Sequence, residues 1–218
     1  AVEALGIRVL LHESAAKLVN QGVLKIVKES VYLRGSATAL RMFIPIAAVV
    51  GGRITIDGDH TLRRRPLEAV VRALEGKGVV FSSNRLPLTM EGRLRDNYVE
   101  IEGSESSQYI SGFMIAFALA GGGTIKIIPP LVSKNYVYLT ALVLKKLGVD
   151  VRISLNRIDV DVVERPREVV EEVYGDFLLA SFYVASALLT GGRISVYGLP
   201  PDDFLWGDEV VVGIYRSM

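Results

Sequence analysis

Two loops rich in small hydroxyl residues stand directly before apolar segments of this sequence. Residues 34–38 read Arg-Gly-Ser-Ala-Thr, and residues 103–108 read Gly-Ser-Glu-Ser-Ser-Gln. At a helix start, unpaired backbone N–H groups, serine hydroxyls and the positive end of the helix dipole together bind phosphate or carboxylate. Ordinary N-capping by serine or threonine is the alternative. The second loop carries three hydroxyls and an amide, which exceeds one cap, so we predict an anionic ligand there.

Arginines stand near the start of two predicted helices, one of which follows the first of these loops. Arg63, Arg64 and Arg65 stand directly before Pro66, a residue suited to a helix start, so the sequence predicts three cations in the first turn of a helix, where the dipole disfavours them. Arg63 and Arg64 are expected to be ordinary solvated surface charges. The planar guanidinium of Arg65 is predicted to face a bound carboxylate or phosphate. Arg41 lies one turn inside an apolar helix, so its charge must be paired. It either supports a ligand contact indirectly or forms a structural ion pair.

A third loop combines three kinds of polar group at the start of a helix. Residues 131–136 read Leu-Val-Ser-Lys-Asn-Tyr, so Ser133, Lys134 and Tyr136 offer a hydroxyl, an ammonium and a phenol. Asp176 directly precedes another apolar helix and is predicted to cap it, with orientation of ligand groups as a further role. The two histidines are too far apart to suggest a metal site, and the chain has no Cys. We therefore predict no metal and no cofactor.

The segments that hold these loops recur about every seventy residues. We predict three apolar helices, each followed by glycines and then by a short β-branched strand. The helices are Thr38–Val50, Gln108–Ala120 and Leu178–Thr190, and the strands lie within residues 51–56, 121–127 and 191–196. The first glycines after the helices are Gly51, Gly121 and Gly191, 70 residues apart each time.

A second series of glycines keeps nearly the same period. Each of them closes a more amphipathic helix and opens a strand; they are Gly6, Gly78 and Gly148. Helices of this series are predicted from Pro66 and over Tyr136–Leu147. Each unit therefore reads helix, strand, helix, strand, with another strand, such as Arg157–Val163, before the next helix. The pattern predicts an α/β fold of βαβαββ units in which the apolar helices are buried.

The composition excludes several classes of protein. The 218 residues carry 25 Lys and Arg against 24 Asp and Glu, and half of them are apolar. This balance excludes disorder and argues against nucleic-acid binding. The longest uncharged run has a dense apolar part of only Phe113–Ala120, too short to cross a bilayer, and no signal sequence opens the chain. We expect a cytoplasmic protein. Because the chain opens and stops inside helix-like segments, the latter at Asp208–Met218, we expect a fragment of a longer one.

The polar loops, in their order along the chain, resemble the motifs of the enolpyruvyl transferases, and of the EPSP synthases (3-phosphoshikimate 1-carboxyvinyltransferases) in particular. Residues 35–41, Gly-Ser-Ala-Thr-Ala-Leu-Arg, resemble the family's Gly-Asn-Ala-Gly-Thr-Ala-Met-Arg loop. The other matches are Gly58-Asp59 and Arg65-Pro66 with Gly-Glu/Asp…Arg-Pro, residues 106–109 with Ser-Ser-Gln, 133–136 with Ser-Lys-Pro-Tyr, 175–180 with Gly-Asp-x-x-x-Ala, and 207–218 with Gly-Asp…Met-Gly.

The resemblance implies a fold of two domains, each of three βαβαββ units about a pseudo-threefold axis. Residues 1–173 are then most of one domain, and residues 174–218 start the return into the second. The implied activity is transfer of the enolpyruvyl group of phosphoenolpyruvate to the 5-hydroxyl of shikimate 3-phosphate. In the family that hydroxyl attacks C2 while C3 is protonated, and the tetrahedral intermediate expels phosphate.

The resemblance also assigns residues to the two substrates. Shikimate 3-phosphate is expected at Ser106, Ser107, Gln108, Ser133 and Tyr136. Phosphoenolpyruvate is expected at Arg65, Gln108 and Ala37. Arg41 and Asp176 are expected to support the ligand-binding residues without touching a substrate. The expected partners are these two anionic molecules and the remainder of the same enzyme chain, with no nucleic acid and no membrane.

Departures from the family pattern carry their own predictions. The family's early Gly-Ser-Lys-Ser segment, its later Asp general base and its C-terminal Lys are missing, so we predict no catalytic residue in this chain and negligible turnover by it alone. Ala37 replaces the second glycine of the family loop, which predicts a tighter phosphoenolpyruvate pocket and reduced glyphosate sensitivity of the full enzyme. Two alternatives stay open. One is a UDP-N-acetylglucosamine enolpyruvyl transferase, although its usual Cys-bearing loop is not found here. The other is a non-catalytic binding scaffold with the same repeat.

Overall fold

The structure is a computed structural model that describes residues 1–13, 15–20, 22–162, 167–200 and 207–217. The α-helices are α1 (Ala37–Val50), α2 (Glu68–Leu74), α3 (Ser107–Ala120), α4 (Lys134–Lys146), α5 (Phe177–Thr190) and α6 (Val210–Arg216). The strands are β1 (Arg8–Leu11), β2 (Ala16–Val19), β3 (Ser30–Tyr32), β4 (Gly52–Asp57), β5 (Val79–Phe81), β6 (Leu88–Gly92), β7 (Tyr98–Glu102), β8 (Gly123–Ile128), β9 (Val151–Ser154) and β10 (Arg157–Val160). Short 3₁₀ helices cover Val2–Leu5, Leu62–Arg64 and Gly207–Glu209.

Two complete βαβαββ units confirm the repeat that the sequence predicts. The first runs β3-α1-β4-α2-β5-β6 and the second β7-α3-β8-α4-β9-β10. Their four-stranded sheets have the same order, β3-β4-β6-β5 and β7-β8-β10-β9. In each sheet the first two strands are parallel and the other pairs antiparallel. Ahead of the two units, β1 and β2 form an antiparallel hairpin.

The apolar helices of the two complete units form the centre of the core. Helix α1 packs on β4 and β6, helix α3 packs on β8 and β10, and the two helices pack against each other. Leu40, Ile44 and Phe113 are fully buried there. Because both helices are apolar on nearly every face, burial between a sheet and a neighbouring helix removes most of their surface from water. The prediction of buried apolar helices is confirmed for this pair.

Glycines end all three apolar helices, as the spacing predicts. Gly51, Gly121 and Gly191 have φ values of 79°, 95° and 66°. A residue with a side chain is strained at positive φ, whereas glycine is not, so these positions stop each helix and turn the chain.

The third apolar helix differs from the first two. Helix α5 is formed, but its Leu179, Phe182 and Leu189 are 63%, 67% and 88% exposed, so the prediction of burial is wrong for this helix. The strand predicted within residues 191–196 is also absent from the described chain. An extended segment needs a neighbouring strand to pair its backbone groups, and the described residues place none beside it. The main core correspondingly ends at Val160.

The entry to α2 also differs from the prediction. Helix α2 begins at Glu68 rather than at Pro66. The chain before it forms the 3₁₀ helix Leu62–Arg64, because Asp59 Oδ1 accepts hydrogen bonds from the backbone N–H groups two and three residues later, at 3.0 and 2.9 Å. The prediction that three arginines occupy the first turn of α2 is therefore wrong.

Smaller differences concern the ends of elements. Helix α4 begins at Lys134, two residues before its predicted start, and β10 ends at Val160, while Val163 lies outside the described residues. The last predicted helix is present as a 3₁₀ turn followed by α6, and Met218 lies outside the described residues. None of the helices that the structure describes is long and apolar enough to cross a membrane.

Candidate functional site

A cleft of about 480 Å³ lies where the N-terminal ends of α1, α3 and α4 meet. Strands β7 and β8 are parallel, so both end at the same edge of their sheet, and α3 and α4 begin there. Helix α1 brings its own start to the same place because it packs along α3. The predicted site residues that line this cleft are Arg41, Ser106, Ser107, Gln108, Ser133 and Tyr136.

Three of the predicted polar residues act as ordinary N-caps. Ser36 Oγ and Asp176 Oδ1 each accept a hydrogen bond from the backbone N–H three residues later, at 3.2 and 2.7 Å. Ser106 Oγ accepts one from the backbone N–H of Gln108 at 3.2 Å. Such a cap contributes roughly 1 kcal/mol to helix stability. The capping alternative therefore accounts for these side chains.

Two serines in the cleft keep free hydroxyls. Ser107 is the first residue of α3 and Ser133 occupies the cap position of α4, yet among the described residues neither hydroxyl has a hydrogen-bond partner. Ser133 has a φ of 49°, which is uncommon for a residue with a side chain, and it makes no side-chain cap. Both hydroxyls are free to donate to a ligand oxygen at a helix N-terminus.

Gln108 is held from two sides by residues of α1. Arg41 Nη1 donates to Gln108 Oε1 at 3.1 Å, and Gln108 Nε2 donates to Thr38 Oγ1 at 2.8 Å. The guanidinium of Arg41 also lies 5.7 Å from the ring centre of Tyr109. No carboxylate pairs with Arg41 within the described part of the chain, so the structural ion pair considered from sequence is wrong. Thr38 was missed as a site residue, although it belongs to the first hydroxyl loop.

Tyr136 donates its hydroxyl proton to Asp208, which comes from the far end of the chain. Burial, and then this hydrogen bond, raise the pKa of Tyr136, so the phenol stays protonated and remains a donor. Asp208 was not predicted as a site residue, although its Gly-Asp motif was noticed. Together with Ser133, Lys134 and Asn135 it lines a neighbouring depression of about 500 Å³.

Arg65 does not line the cleft. It is exposed and follows the 3₁₀ helix Leu62–Arg64. Its neighbour Pro66 accepts a hydrogen bond through its carbonyl from the buried Tyr109 hydroxyl at 3.0 Å, which ties this loop to α3 next to Gln108. Burial, and then the negative charge of Glu105, raise the pKa of Tyr109, so this donor also stays protonated.

The other two arginines of the run behave differently from each other. Arg63 forms a two-point ion pair with Asp57, at 2.9 and 2.6 Å, so simple solvation does not describe it. Arg64 is exposed, and within the described ranges no carboxylate pairs with it or with Arg65. Arg64 and Arg65 are therefore the cations of this run that remain available for an anionic ligand.

Ala37 and Asp176 also lie outside the cleft lining. Ala37 is the first residue of α1, directly before Thr38, and Asp176 caps α5. The structure therefore brings together the residues predicted for shikimate 3-phosphate, whereas those predicted for phosphoenolpyruvate, apart from Gln108, stand outside.

The electrostatics of the cleft favour an anion. Each helix that opens into it is 13 or 14 residues long and presents the positive end of its dipole. Among the described residues that line the cleft, Glu105 is the acid, and it accepts a hydrogen bond from the backbone N–H of Ala69 at 3.0 Å, which pairs a backbone donor at the start of α2. The arrangement can thus bind and orient a negatively charged molecule through hydroxyl, amide and guanidinium donors.

Comparison with known proteins gives concordant results. The family model described as EPSP synthase (3-phosphoshikimate 1-carboxyvinyltransferase) matches residues 1–218. A 3-phosphoshikimate 1-carboxyvinyltransferase of Sulfurisphaera tokodaii is 50% identical over 190 residues, which are 86% of this chain and 45% of that protein. One from Saccharolobus solfataricus is 44% identical over 221 residues, 100% of this chain and 52% of that protein.

A solved structure agrees in fold. EPSP synthase from Acinetobacter baumannii matches with a TM-score of 0.66 at 19% identity, over 85% of this chain and 42% of that one. The chain spans about half the length of the curated relatives it matches.

Proposed function

This chain belongs to the EPSP synthase family, and we propose that its cleft is part of the active site of an enzyme that transfers the enolpyruvyl group of phosphoenolpyruvate to the 5-hydroxyl of shikimate 3-phosphate, with release of phosphate. The observation that carries this proposal is the meeting of three helix N-termini at one cleft that contains free serine hydroxyls. A phosphate monoester is an acceptor-rich dianion, which suits this set of donors.

The shikimate 3-phosphate site comprises the residues that line the cleft. Ser107 and Ser133 donate hydroxyl protons to the phosphate, and Ser106 keeps the first turn of α3 in place through its cap. Tyr136 packs beside the shikimate ring, with its hydroxyl held by Asp208. Gln108 stands between the two substrates. These side chains bind and orient the ligand, which lowers the entropic cost of bringing two anions together.

The phosphoenolpyruvate site takes its cation from Arg65. The guanidinium is free of carboxylates within the described structure, and its loop is tied to α3 through Tyr109 and Pro66. Ala37 limits the room at the start of α1. We assign no catalytic residue to this chain, and we expect negligible turnover by its 218 residues alone.

The test is a calorimetric titration of the chain with shikimate 3-phosphate. Loss of a hydrogen bond to a charged ligand costs roughly tenfold in affinity, so Ser107→Ala and Ser133→Ala should each weaken binding by about that factor. Ser83→Ala is the matched control, since Ser83 is an exposed serine that does not line the cleft. Binding that both cleft variants leave unchanged would contradict the proposed site.

The same titration decides between the proposal and the remaining alternatives. Absence of binding by shikimate 3-phosphate and phosphoenolpyruvate supports a non-catalytic scaffold, and preferential binding of UDP-N-acetylglucosamine supports the related transferase. Ordinary transferase activity of the chain alone would overturn the expectation of negligible turnover.

Three further points belong to the proposal. We place the enzyme in the cytoplasm and a domain boundary near residue 173. Its partners are the two anionic substrates and the remainder of the enzyme chain.

A further inference from the structure

The side-chain amide of Gln108 is engaged at both of its ends by one neighbouring helix. Its Oε1 accepts from Arg41 Nη1 at 3.1 Å, and its Nε2 donates to Thr38 Oγ1 at 2.8 Å. Thr38 and Arg41 lie in the first turns of α1, while Gln108 lies in the first turn of α3. The contacts therefore cross the interface between the two central helices, and all three residues line the cleft.

Only one of these two partners determines which way the amide faces. A threonine hydroxyl can donate or accept, so Thr38 is compatible with either end of the amide. A guanidinium has five N–H donors and no acceptor, so Arg41 can pair with Oε1 and not with the NH₂ group. The guanidinium is itself held at 5.7 Å from the ring centre of Tyr109, which is fully buried.

We propose that Arg41 is a positioning residue that holds Oε1 of Gln108 toward its own guanidinium and thereby leaves an N–H of the amide Nε2 for the ligand. The amide nitrogen has two hydrogens, and Thr38 accepts one of them. The second remains as a donor in the cleft, so Gln108 recognises an acceptor oxygen of the bound molecule. The identity of that molecule rests on the proposed function; the orientation of the amide does not.

The composition of the chain allows a direct test. The sequence contains only two glutamines, Gln21 and Gln108, so selective labelling with [¹⁵N]glutamine yields two pairs of side-chain amide signals. The substitution Gln21→Asn assigns them. In the free chain, Arg41→Met should move the Gln108 pair toward the positions of an unbound amide and speed its exchange with water by roughly tenfold. Arg93→Met is the control, because Arg93 donates to the carbonyl of Val49 at the other end of α1.

The second measurement follows the same signals during titration with shikimate 3-phosphate. In the parent chain the Gln108 pair should shift on binding, and Arg41→Met should weaken binding by roughly tenfold while the spectrum stays dispersed. Should Arg41→Met not fold, Arg41→Lys replaces it. Lysine keeps the charge and the long stem but has no planar fork, so a smaller change in the same direction is expected.

The two measurements separate the two proposals. Gln108 signals that Arg41→Met (or Arg41→Lys) leaves unchanged in the free chain overturn the positioning role, whatever the ligand. Arg41-dependent signals in a parent chain that does not bind shikimate 3-phosphate contradict the proposed function and leave the orientation of the amide supported. Arg41-dependent signals together with weakened binding support both.

Discussion

Replacing Gly112 with alanine tests how closely α3 packs against α1. Gly112 lies inside α3, buried, and faces the first turns of α1. A Cβ atom placed there would lie 3.0 Å from Met42 Cα, 3.1 Å from the carbonyl oxygen of Arg41 and 3.1 Å from Pro45 Cγ. Two of these atoms belong to the backbone, so the helices must move apart by a few tenths of an ångström to restore ordinary contacts.

Two opposing effects set the size of the change. Alanine is favoured over glycine inside a helix by about 1 kcal/mol. Overpacking of a well-filled core costs about 1–3 kcal/mol. Because the contacts involve the backbone, which cannot rotate away, we expect an overpacking cost in the upper part of this range, about 2–3 kcal/mol, so that Gly112→Ala lowers the free energy of unfolding by about 1–2 kcal/mol. The same displacement separates Arg41 from Gln108, so binding of shikimate 3-phosphate should weaken as well.

Urea unfolding monitored by circular dichroism measures the change in the free energy of unfolding. Calorimetric titration measures the change in affinity for shikimate 3-phosphate. Gly213→Ala is the matched control, because Gly213 also lies inside a helix, α6, but a Cβ there meets no atom within 4 Å. The control should be neutral or stabilised by up to about 1 kcal/mol. A Gly112→Ala chain as stable as the parent or more stable would refute the close packing inferred here.

Three further changes probe other parts of the structure. Tyr109→Phe removes the buried hydrogen bond to the Pro66 carbonyl (3.0 Å) and should lower the free energy of unfolding by about 1 kcal/mol in urea; an unchanged midpoint would show that this bond contributes nothing. The Arg63 guanidinium holds the pKa of Asp57 below its ordinary value of 3.8, so the ion pair stabilises the fold above about pH 4 and is lost as pH falls through the lowered pKa. Thermal melts of the parent and Asp57→Asn should therefore differ near neutral pH and converge on acidification; a difference that persists in acid would contradict this sign. Ala37→Gly in the full enzyme should increase inhibition by glyphosate relative to the parent, since it removes a methyl group at the start of α1, and inhibition that stays the same would refute the tighter pocket.

Elements stabilised by local patterns were predicted closely. The apolar helices α1 and α3 begin within one residue of their predicted starts, and the glycines that end them have positive φ as expected. The predicted start of α2 was wrong because the side chain of Asp59 accepts hydrogen bonds that shape the preceding turn, and the helical pattern does not reveal these bonds. The prediction that α5 is buried was wrong because burial depends on which elements pack beside a helix and not on the composition of the helix alone.

The site residues show a similar division. The serines were recognised as helix-start groups from their position alone, but sequence does not distinguish Ser106, which caps α3, from Ser107, which keeps a free hydroxyl. Asp208 was left out of the predicted site because its contact with Tyr136 joins residues 72 apart in the chain. The assignment of Arg65 and Ala37 to phosphoenolpyruvate remains a prediction.

By itself, the sequence determined the seventy-residue βαβαββ repeat, the apolar helices, the glycines that end them and the donor-rich loops that begin them. These features depend on the periodicity of side chains and on backbone preferences over a few residues. Only the tertiary structure decided that three of those loops meet at one cleft and that Arg41 and Thr38 hold the amide of Gln108. The packing of α1 along α3 brings together residues 67 and 70 positions apart, and no local pattern specifies that geometry.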